Sequence, residues 1–296
     1  MKEFVILTDS CCDLDLEDRQ KHGIEYVKMH FTLNGKQYDA DLDWKDISFS
    51  EFYGEMRKGN RIITAQVNSA EYKIAFEKYL NEYKDVLYIG CSSALSSSVK
   101  ASYVARDEVL EDFPTSKVIC IDSLSACLGL GTLCITASNL RAQGKSIDEV
   151  ATWIEENKLK VHQEATVEKL TWLKQAGRVS AASAFFGGLL NVKPIIISDE
   201  NGANVAVEKV KGRKVSYAKI AERFAKRVKT VEYQKLFVVH GDCENDAKEL
   251  VEEVKKVLPE SLKGTEISIR KLGPIIGASC GPGTLGLYYF GNGELR

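Results

Sequence analysis

The first half of the chain alternates short apolar runs with longer amphipathic stretches. Residues 4–8, 86–91 and 117–121 are apolar without alternation, which predicts strands covered on both faces of a parallel sheet. Helical patterns follow them, ending near residues 22, 112 and 143, and a further strand is predicted over residues 26–32. Repeated strand and helix units of this kind predict an N-terminal α/β domain with a parallel sheet.

The pattern changes after residue 157. Strand-like runs at residues 160–167, 192–198, 203–210 and 236–240 are mixed with helical patterns at 217–230 and 245–258. Two glycine turns, Asn34-Gly35 and residues 199–202, predict hairpins. The second half is therefore predicted to be α+β with a partly antiparallel sheet. We predict a two-domain α/β protein, with domains at residues 1–158 and 159–296.

Polar loops follow several of the predicted strands. Asp9 and Ser10 follow the first strand, Thr64 lies in the segment that leads into a predicted helix, and Ser93 and Ser96 belong to a serine-rich run between a strand and a helix. Ligands of open α/β sheets bind beyond the carboxyl ends of strands, and hydroxyls with free helix N-terminal amides suit an anion. Helix capping is an equally ordinary role for Asp9 and Ser10.

The segment at residues 272–289 is the richest in glycine and proline. An apolar run at residues 272–278 leads into it and a strand-like run at 285–290 leads out, so residues 279–284 are predicted to form a rigid turn. The amides around Ala278 and Ser279 could then converge on a carboxylate or an oxyanion. A tight turn without a ligand is the simpler alternative.

Composition excludes several classes of protein. The chain has 296 residues, a net charge of −2 and no basic stripe, which argues against a nucleic-acid partner. No apolar run reaches the roughly 18 residues of a membrane span, and the N-terminus lacks a signal-peptide layout, so a cytoplasmic location is expected. The 8 cysteines form no C-x-x-C pair. We therefore expect reduced thiols, no metal site and no cofactor.

Six ordered blocks resemble the DegV family of fatty-acid-binding proteins, which serve as FakB subunits of bacterial fatty acid kinases. The blocks are Thr8-Asp9-Ser10, Thr64-Ala65-Gln66, Ser92-Ser93-Ala94-Leu95-Ser96, Asp122-Ser123, Leu170 to Ser180 with Gly177-Arg178-Val179-Ser180, and Gly273 to Gly277 continuing through Gly281 to Gly286. The resemblance covers essentially the full length of the chain.

The resemblance implies a fatty acid in an apolar tunnel between the domains, lined by stretches such as residues 126–133 and 184–190. Thr64, Ser93 and Ser96 would hold its carboxylate, together with the amides of Ala278 and Ser279, while Asp9 and Ser10 would lie nearby. Arg178 would lie outside the tunnel and meet a separate ATP-dependent kinase subunit or the forming phosphate. The implied protein performs no catalysis itself, and transient contact with a membrane is compatible with its role.

The sequence departs from the family pattern at several positions, and alternative functions stay open. Ala65 and Val67 replace serine and proline, Ser279 and Cys280 replace histidine and threonine of the usual central turn, and Ala176 replaces a glycine. One alternative is a stand-alone hydrolase or phosphotransferase with Ser93 or Cys280 as nucleophile. No histidine lies in the serine-rich or glycine-rich loops to serve as its base. The other is a carrier of a different amphipathic carboxylate.

Overall fold

Within residues 2–180 and 191–293, which the computed structural model describes, the strands form three sheets. The strands are β1 (Phe4–Asp9), β2 (Ile24–Val27), β3 (His30–Leu33), β4 (Lys36–Asp39), β5 (Ile62–Ala65), β6 (Asp85–Gly90), β7 (Val118–Asp122), β8 (Val161–Thr166), β9 (Val179–Ser180), β10 (Val192–Ser198), β11 (Asn204–Lys211), β12 (Leu236–His240), β13 (Ile267–Lys271) and β14 (Leu285–Phe290). The helices are α1 (Leu16–His22), α2 (Phe49–Arg57), α3 (Ser69–Asn81), α4 (Ser98–Asp112), α5 (Leu128–Ala142), α6 (Ile147–Asn157), α7 (Leu170–Ala176), α8 (Arg213–Arg227), α9 (Glu244–Lys256) and α10 (Pro274–Cys280).

The N-terminal sheet is parallel, with the strand order β2-β1-β6-β7. Every residue of β1 and β6 is buried, as expected for strands covered by helices on both faces. The predicted parallel-sheet domain is therefore confirmed. Its carboxyl edge carries the Ser10–Cys12 turn after β1 and the serine-rich loop after β6.

A small antiparallel sheet, β4-β3-β5, lies beside this domain. The Asn34-Gly35 turn joins β3 to β4, and both residues have the positive φ of a type I′ hairpin (52° and 79°). The single strand predicted over residues 26–32 was wrong, because the chain leaves the parallel sheet after Val27 and enters this second sheet at His30.

The C-terminal half has a mixed sheet with the order β13-β12-β14-β8-β10-β11-β9. The hairpin predicted at residues 199–202 is confirmed, and Asp199 Oδ1 accepts hydrogen bonds from the amides of Asn201 and Ala203. The 3-10 turn Lys158–Lys160 joins α6 to this sheet. A boundary at residue 158 stays a prediction that fits this junction.

Helix α5 lies between the two main sheets and is buried along nearly its whole length. Leu128 and Leu130 of α5 share one hydrophobic core with Leu7 of the parallel sheet and with Phe237 and Tyr288 of the mixed sheet. The two sheets are thus joined by continuous apolar packing. Over the described residues, no helix is both long and apolar enough to cross a membrane.

The segment at residues 272–284 folds differently from the prediction, because a helix extends into the predicted turn. Pro274 opens helix α10 at the first helical position, where its fixed φ favours a helix and its missing N–H costs nothing. The helix continues to Cys280 and ends at Gly281, whose φ is 81°. The turn predicted over residues 279–284 is therefore shorter, because its first two residues belong to the helix.

Candidate functional site

A cavity of about 540 Å³ opens at the carboxyl edge of the parallel sheet. Its walls come from the turn after β1, strand β5, the serine-rich loop after β6, α7 with the residues that follow it, and α10. The lining residues are Cys11, Met29, Thr64, Ala65, Gln66, Cys91, Ser93, Ala94, Leu95, Ser96, Ser97, Leu173, Ala176, Arg178, Val179, Asn204, Ile275, Ile276, Ser279 and Cys280. The cavity thus combines residues from both halves of the chain.

Four of the hydroxyls that the sequence singled out line this one cavity. Thr64, Ser93, Ser96 and Ser279 are all half-buried. The Ser96 hydroxyl accepts from the Ser98 N–H at 3.2 Å, so its own proton is free to be donated. The Ser279 hydroxyl donates to the Ile275 carbonyl of its own helix at 3.5 Å, a long bond that a better acceptor would replace. The geometry brings these residues together, and their contact with a ligand stays a prediction.

Most amides of the serine-rich loop already have partners, which differs from the sequence-based expectation of free amides. The Ser93 N–H donates to the Asp122 carboxylate at 3.2 and 3.3 Å, the Ala94 N–H to the Ser92 hydroxyl at 3.2 Å, and the Ser96 N–H to the Ser92 carbonyl at 3.0 Å. These bonds fix the loop's shape, so that at Ser93, Ala94 and Ser96 the backbone N–H groups are occupied and the hydroxyls of Ser93 and Ser96 face the cavity.

The predicted cradle of amides at Ala278 and Ser279 is also wrong. Both residues lie in the second turn of α10, where backbone N–H groups bond to carbonyls four residues earlier in the chain. Ala278 does not line the main cavity and instead borders a neighbouring one of about 190 Å³. Ser279 faces the main cavity through its side chain.

Asp9 and Ser10 are fully buried and do not line the cavity. Asp9 accepts from the amides of Cys11 and Cys91, both at 2.9 Å, and from the Tyr88 hydroxyl at 2.8 Å. Burial raises the pKa of Asp9, while these three donors act to lower it. One carboxyl thereby ties the turn after β1 to the loop after β6. The predicted ligand contact of Asp9 is replaced by a positioning role.

Ser10 has a similar structural role. Its hydroxyl donates to the Ala40 carbonyl and accepts from the Met29 N–H, both at 2.9 Å. These bonds hold the segment before β3 against the turn after β1, and Met29 from this segment lines the cavity. Ser10 therefore places an apolar side chain in the wall and does not reach the ligand space itself.

A buried chain of hydroxyls extends from Asp9 towards the serine-rich loop. The Tyr88 hydroxyl lies 2.5 Å from that of Tyr72, which lies 2.8 Å from the Ser98 hydroxyl. Ser98 in turn bonds to Ser96 through its amide. Such a satisfied network is rigid, because breaking one link leaves a buried polar group unpaired. It fixes the position of Ser96 at the cavity wall.

The apolar part of the wall was largely missed from the sequence. Leu95, Leu173, Val179, Ile275 and Ile276 contribute aliphatic surface, and Cys11, Cys91 and Met29 contribute sulfur. Cys11 and Cys91 could have been assigned to the wall from the sequence, because they lie beside strand ends that were already predicted to bind a ligand. Residues 126–133 do not line the cavity. The stretch at residues 184–190 lies outside the described residues.

Arg178 lies at the rim of the cavity. It follows Gly177, which ends α7 with a φ of 64°, and its side chain is exposed while bordering both the main and the neighbouring cavity. The expectation that it lies outside the tunnel therefore needs refinement: the guanidinium is exposed to solvent and also borders the entrance.

The nucleophiles of the enzyme alternative are weakly supported by their surroundings. Cys280 faces the cavity, and its enclosure by protein raises the pKa of the thiol to about 12, so the reactive thiolate is scarce. The ring of His30 bonds to Asp39 and Glu71, and that of His240 accepts from the Cys243 N–H. The part of the chain that the structure describes holds no cluster of three metal-ligating side chains.

Comparisons with known proteins agree with this architecture. A sequence model of a family described as "Uncharacterised protein, DegV family" matches residues 3–292. A DegV domain-containing protein of Clostridium perfringens is 36% identical over 292 residues, which is 99% of either chain. Another, from Streptococcus pyogenes serotype M1, is 30% identical over 97% of this chain and 98% of its own.

Two solved structures with sequence identity above 25% have the same fold. A DegV family protein from Thermus thermophilus, described by its fatty acid binding, superposes with a TM-score of 0.84 at 27% identity, covering 99% of this chain and 100% of that one. DegV of Bacillus subtilis, described as a fatty acid binding protein, gives a TM-score of 0.83 at 26% identity with the same coverage.

Proposed function

Because the chain belongs to the DegV family, we propose that it binds a long-chain fatty acid in this cavity and presents the carboxylate to a separate ATP-dependent kinase subunit. The kinase would then form an acyl phosphate. The proposal includes a cytoplasmic location, where the ATP of the kinase is found, and no nucleic-acid partner. Fatty acid binding by the similar proteins of Thermus thermophilus and Bacillus subtilis supports the first step.

The observation that carries the proposal is the pairing of hydroxyls with an aliphatic wall in one cavity. Thr64, Ser93, Ser96 and Ser279 offer several hydroxyl donors, while Ile275 and Ile276 belong to the apolar wall. The described cavity volume of about 540 Å³ falls within the roughly 300–1,000 Å³ usual for small-molecule sites. An amphiphile with one anionic end satisfies both parts of this lining.

The two parts of the ligand would contribute differently to affinity. Burial of each methylene group supplies about 0.8 kcal/mol, so the acyl chain provides most of the binding free energy. Hydroxyl donors add less but fix the orientation of the carboxylate. They also hold it less firmly than a bidentate arginine would, which keeps an oxygen available to attack a phosphoryl group.

We further propose that the protein has no catalytic turnover of its own. The raised pKa of Cys280 and the remote bonding of His30 and His240 support this. In this scheme the chain supplies binding and orientation. The partner supplies ATP, metal chemistry and stabilisation of the charge that develops during phosphoryl transfer.

Native mass spectrometry of the purified protein, followed by organic extraction, tests the binding step. We expect a complex with one fatty acid per chain and, after extraction, reloading with an added C18 fatty acid. A different co-purifying carboxylate would favour the carrier of another amphiphile. Failure to load any fatty acid would refute the proposal.

Arg178 provides the test of the presentation step. Because its guanidinium is exposed at the rim, we expect Arg178→Ala to retain fatty acid binding while reducing acyl phosphate formation by a fatty acid kinase catalytic subunit by about tenfold or more. Transfer is measured with labelled ATP, and Arg106→Ala, on α4 away from the cavity, is the control. Loss of lipid binding in the Arg178 variant would instead assign this residue to the binding site.

A further inference from the structure

Asp13 is a buried carboxyl whose role neither the cavity nor the proposed function explains. It follows the Ser10–Cys12 turn, has a φ of 51° and is 3% exposed. Neither carboxyl oxygen has a hydrogen-bond partner among the residues that the structure describes. Asp9, at the other end of the same turn, accepts three hydrogen bonds. A buried carboxyl without a partner is costly when ionised, which points to a function beyond packing.

Asp13 lies where the two halves of the cavity meet. Its carboxyl is in such close contact with Gly273, the residue before α10, that a Cβ at that glycine would collide with Oδ1. The turn before Asp13 supplies Cys11 to the cavity wall, and α10 supplies Ile276 and Ser279. The position of α10 relative to the turn therefore depends on how closely Asp13 and Gly273 can pack.

Ionisation of Asp13 falls in the physiological range. Burial is the main cause that raises its pKa to about 7. The Cys127 thiol and the Gly273 N–H act to lower the pKa, although neither makes a hydrogen bond of normal geometry to the carboxyl, and the charge of Asp9 raises the pKa. A modest change in pH near neutrality thus changes the charge at this contact.

The titratable groups packed around Asp13 do not compensate its charge. Inside the protein they are Asp9, Cys11, Cys12, Tyr53, Cys91, Cys127, Cys280 and Tyr288. A hydrogen bond between Cys11 and Cys91 raises the pKa of Cys11 and lowers that of Cys91, but burial leaves both pKa values above the ordinary one. Burial raises the pKa of each of the others. The thiols and phenols are therefore neutral near pH 7. None of these groups can supply a positive charge.

A surface cleft of about 420 Å³ gives the proton of Asp13 a route to solvent. The other charged side chains of the cleft are Asp15, Asp43, Arg270 and Lys271. Arg270 is bound to Asp15 at 2.9 Å, Asp43 is bound to Arg19 at 2.6 Å, and Lys271 Nζ lies over the Phe49 ring. The two cations of the cleft are thus engaged elsewhere, and the charge of Asp13 stays unpaired.

We propose that Asp13 is a proton-operated latch between the two walls of the cavity. While its carboxyl is neutral, the turn after β1 and α10 pack closely and enclose the ligand. When it ionises, hydration of the charge on opening outweighs the attraction of the Gly273 N–H, so the turn and α10 separate and ligand retention weakens. Regulation of this kind rests on the proposed binding of a fatty acid in the cavity.

The direction of the pH effect follows from proton linkage. The closed state holds the proton of Asp13 more tightly than the open state, so raising the pH favours opening until the carboxyl is ionised in both states. In the closed state Asp13 loses its proton near neutrality, whereas in the open state it does so near the ordinary pKa of aspartic acid. The ratio of open to closed protein therefore rises about tenfold from about pH 6 to about pH 8.

Binding of a fluorescent conjugated-polyene C18 fatty acid tests the latch over this pH range. We compare the wild type with Asp13→Asn, which keeps the shape of the side chain, is permanently neutral and suits a positive φ. Titration of the ligand is common to both proteins and cancels in the ratio of their dissociation constants. We expect this ratio to rise between about pH 6 and about pH 8 by up to about tenfold, the full factor being reached where the open state predominates in the free protein. Asp107→Asn, at an exposed position of α4 outside this cleft, should behave like the wild type.

Hydrogen exchange of the α10 amides, without added lipid, separates this proposal from the proposed function. We expect exchange in the wild type to accelerate with pH relative to Asp13→Asn, which shares the intrinsic pH dependence of exchange. A pH-independent ratio in both measurements would overturn the latch. If no protein binds the probe but the exchange ratio still changes, the proposed ligand is wrong and the latch stands. If the asparagine variant fails to fold, the pH dependence of exchange in the wild type is compared with the intrinsic pH dependence of amide exchange instead.

Discussion

Replacement of Thr64 by valine would measure the contribution of a single hydroxyl to ligand binding. Thr64 lies on β5 opposite Phe31 of β3, is half-buried and faces the cavity. Valine keeps the β-branched shape that suits a strand, so the substitution removes a hydrogen bond with little change in packing. A hydrogen bond to a charged group contributes about 1.5–3 kcal/mol. Partial exposure favours the lower end of this range, so we expect fatty acid affinity to fall about tenfold.

Two ligands and a matched variant make this measurement specific. Isothermal titration with a C18 fatty acid and with the corresponding neutral alcohol separates loss of charge recognition from loss of packing. Thr64→Val should weaken the acid about tenfold and the alcohol by a smaller factor, because a bond to a neutral hydroxyl is worth only about 1 kcal/mol. Thr32→Val is the control, since Thr32 pairs with the exposed Ile63 and is directed to the opposite face of the same sheet.

Three results would contradict the assignment of Thr64 as a donor to the carboxylate. Equal weakening of the acid and the alcohol would mean that Thr64 acts by packing. Unchanged binding of both would remove Thr64 from the carboxylate site and leave the hydroxyls of Ser93, Ser96 and Ser279 as the donors. A comparable loss in Thr32→Val would show that the small sheet as a whole, and no single hydroxyl, determines affinity.

Two predictions on stability follow from the backbone and from buried charge. Gly281→Ala should lower the free energy of unfolding by about 3 kcal/mol in thermal denaturation, because the residue has a φ of 81° and a Cβ would collide with the Trp172 ring. Gly264→Ala has a φ of 89° and open space around it, so a loss of about 1 kcal/mol is expected, and equal losses would exclude the collision. For Asp13, the folded chain holds its proton up to about pH 7 and the unfolded chain only to 3.8, so stability falls as the pH rises between these values, by up to about 4 kcal/mol. Asp13→Asn should flatten this fall in urea unfolding curves; a curve parallel to that of the wild type would contradict the raised pKa.

The elements that the sequence predicted well are those with strong local patterns. Strands β1 and β6 are apolar over most of their length because helices cover both faces, and this gives a strong local signal. The Asn34-Gly35 hairpin was predictable because few residues accept positive φ at two successive positions. Convergence of Thr64, Ser93 and Ser279 on one cavity came from the family resemblance, because their separation along the chain carries no local signal.

Helix α10 could not be predicted, because its sequence does not favour a helix. The segment from Pro274 to Cys280 contains a proline, a glycine and β-branched residues, which are weak helix formers, and it is only two turns long. Tertiary packing stabilises it instead: Tyr53 donates to the Leu272 carbonyl at 2.9 Å and lies so close to Gly277 that no Cβ would fit there. A short helix of this kind is visible only once its neighbours are in place.

The roles of Asp9 and Asp13 show why residue type and position alone do not identify a site. Both are buried carboxyls that flank the Ser10–Cys12 turn at the carboxyl end of β1, where ligands bind in open α/β sheets. Asp9 accepts hydrogen bonds from three donors, which explains its burial and holds Cys11 and Cys91 in the cavity wall. Asp13 has none among the described residues, so the same burial makes its charge a source of strain. The structural carboxyl, Asp9, and the carboxyl proposed as a latch, Asp13, differ in the number of hydrogen bonds they receive, and for Asp9 two of the donors, Tyr88 and Cys91, are far away in the sequence.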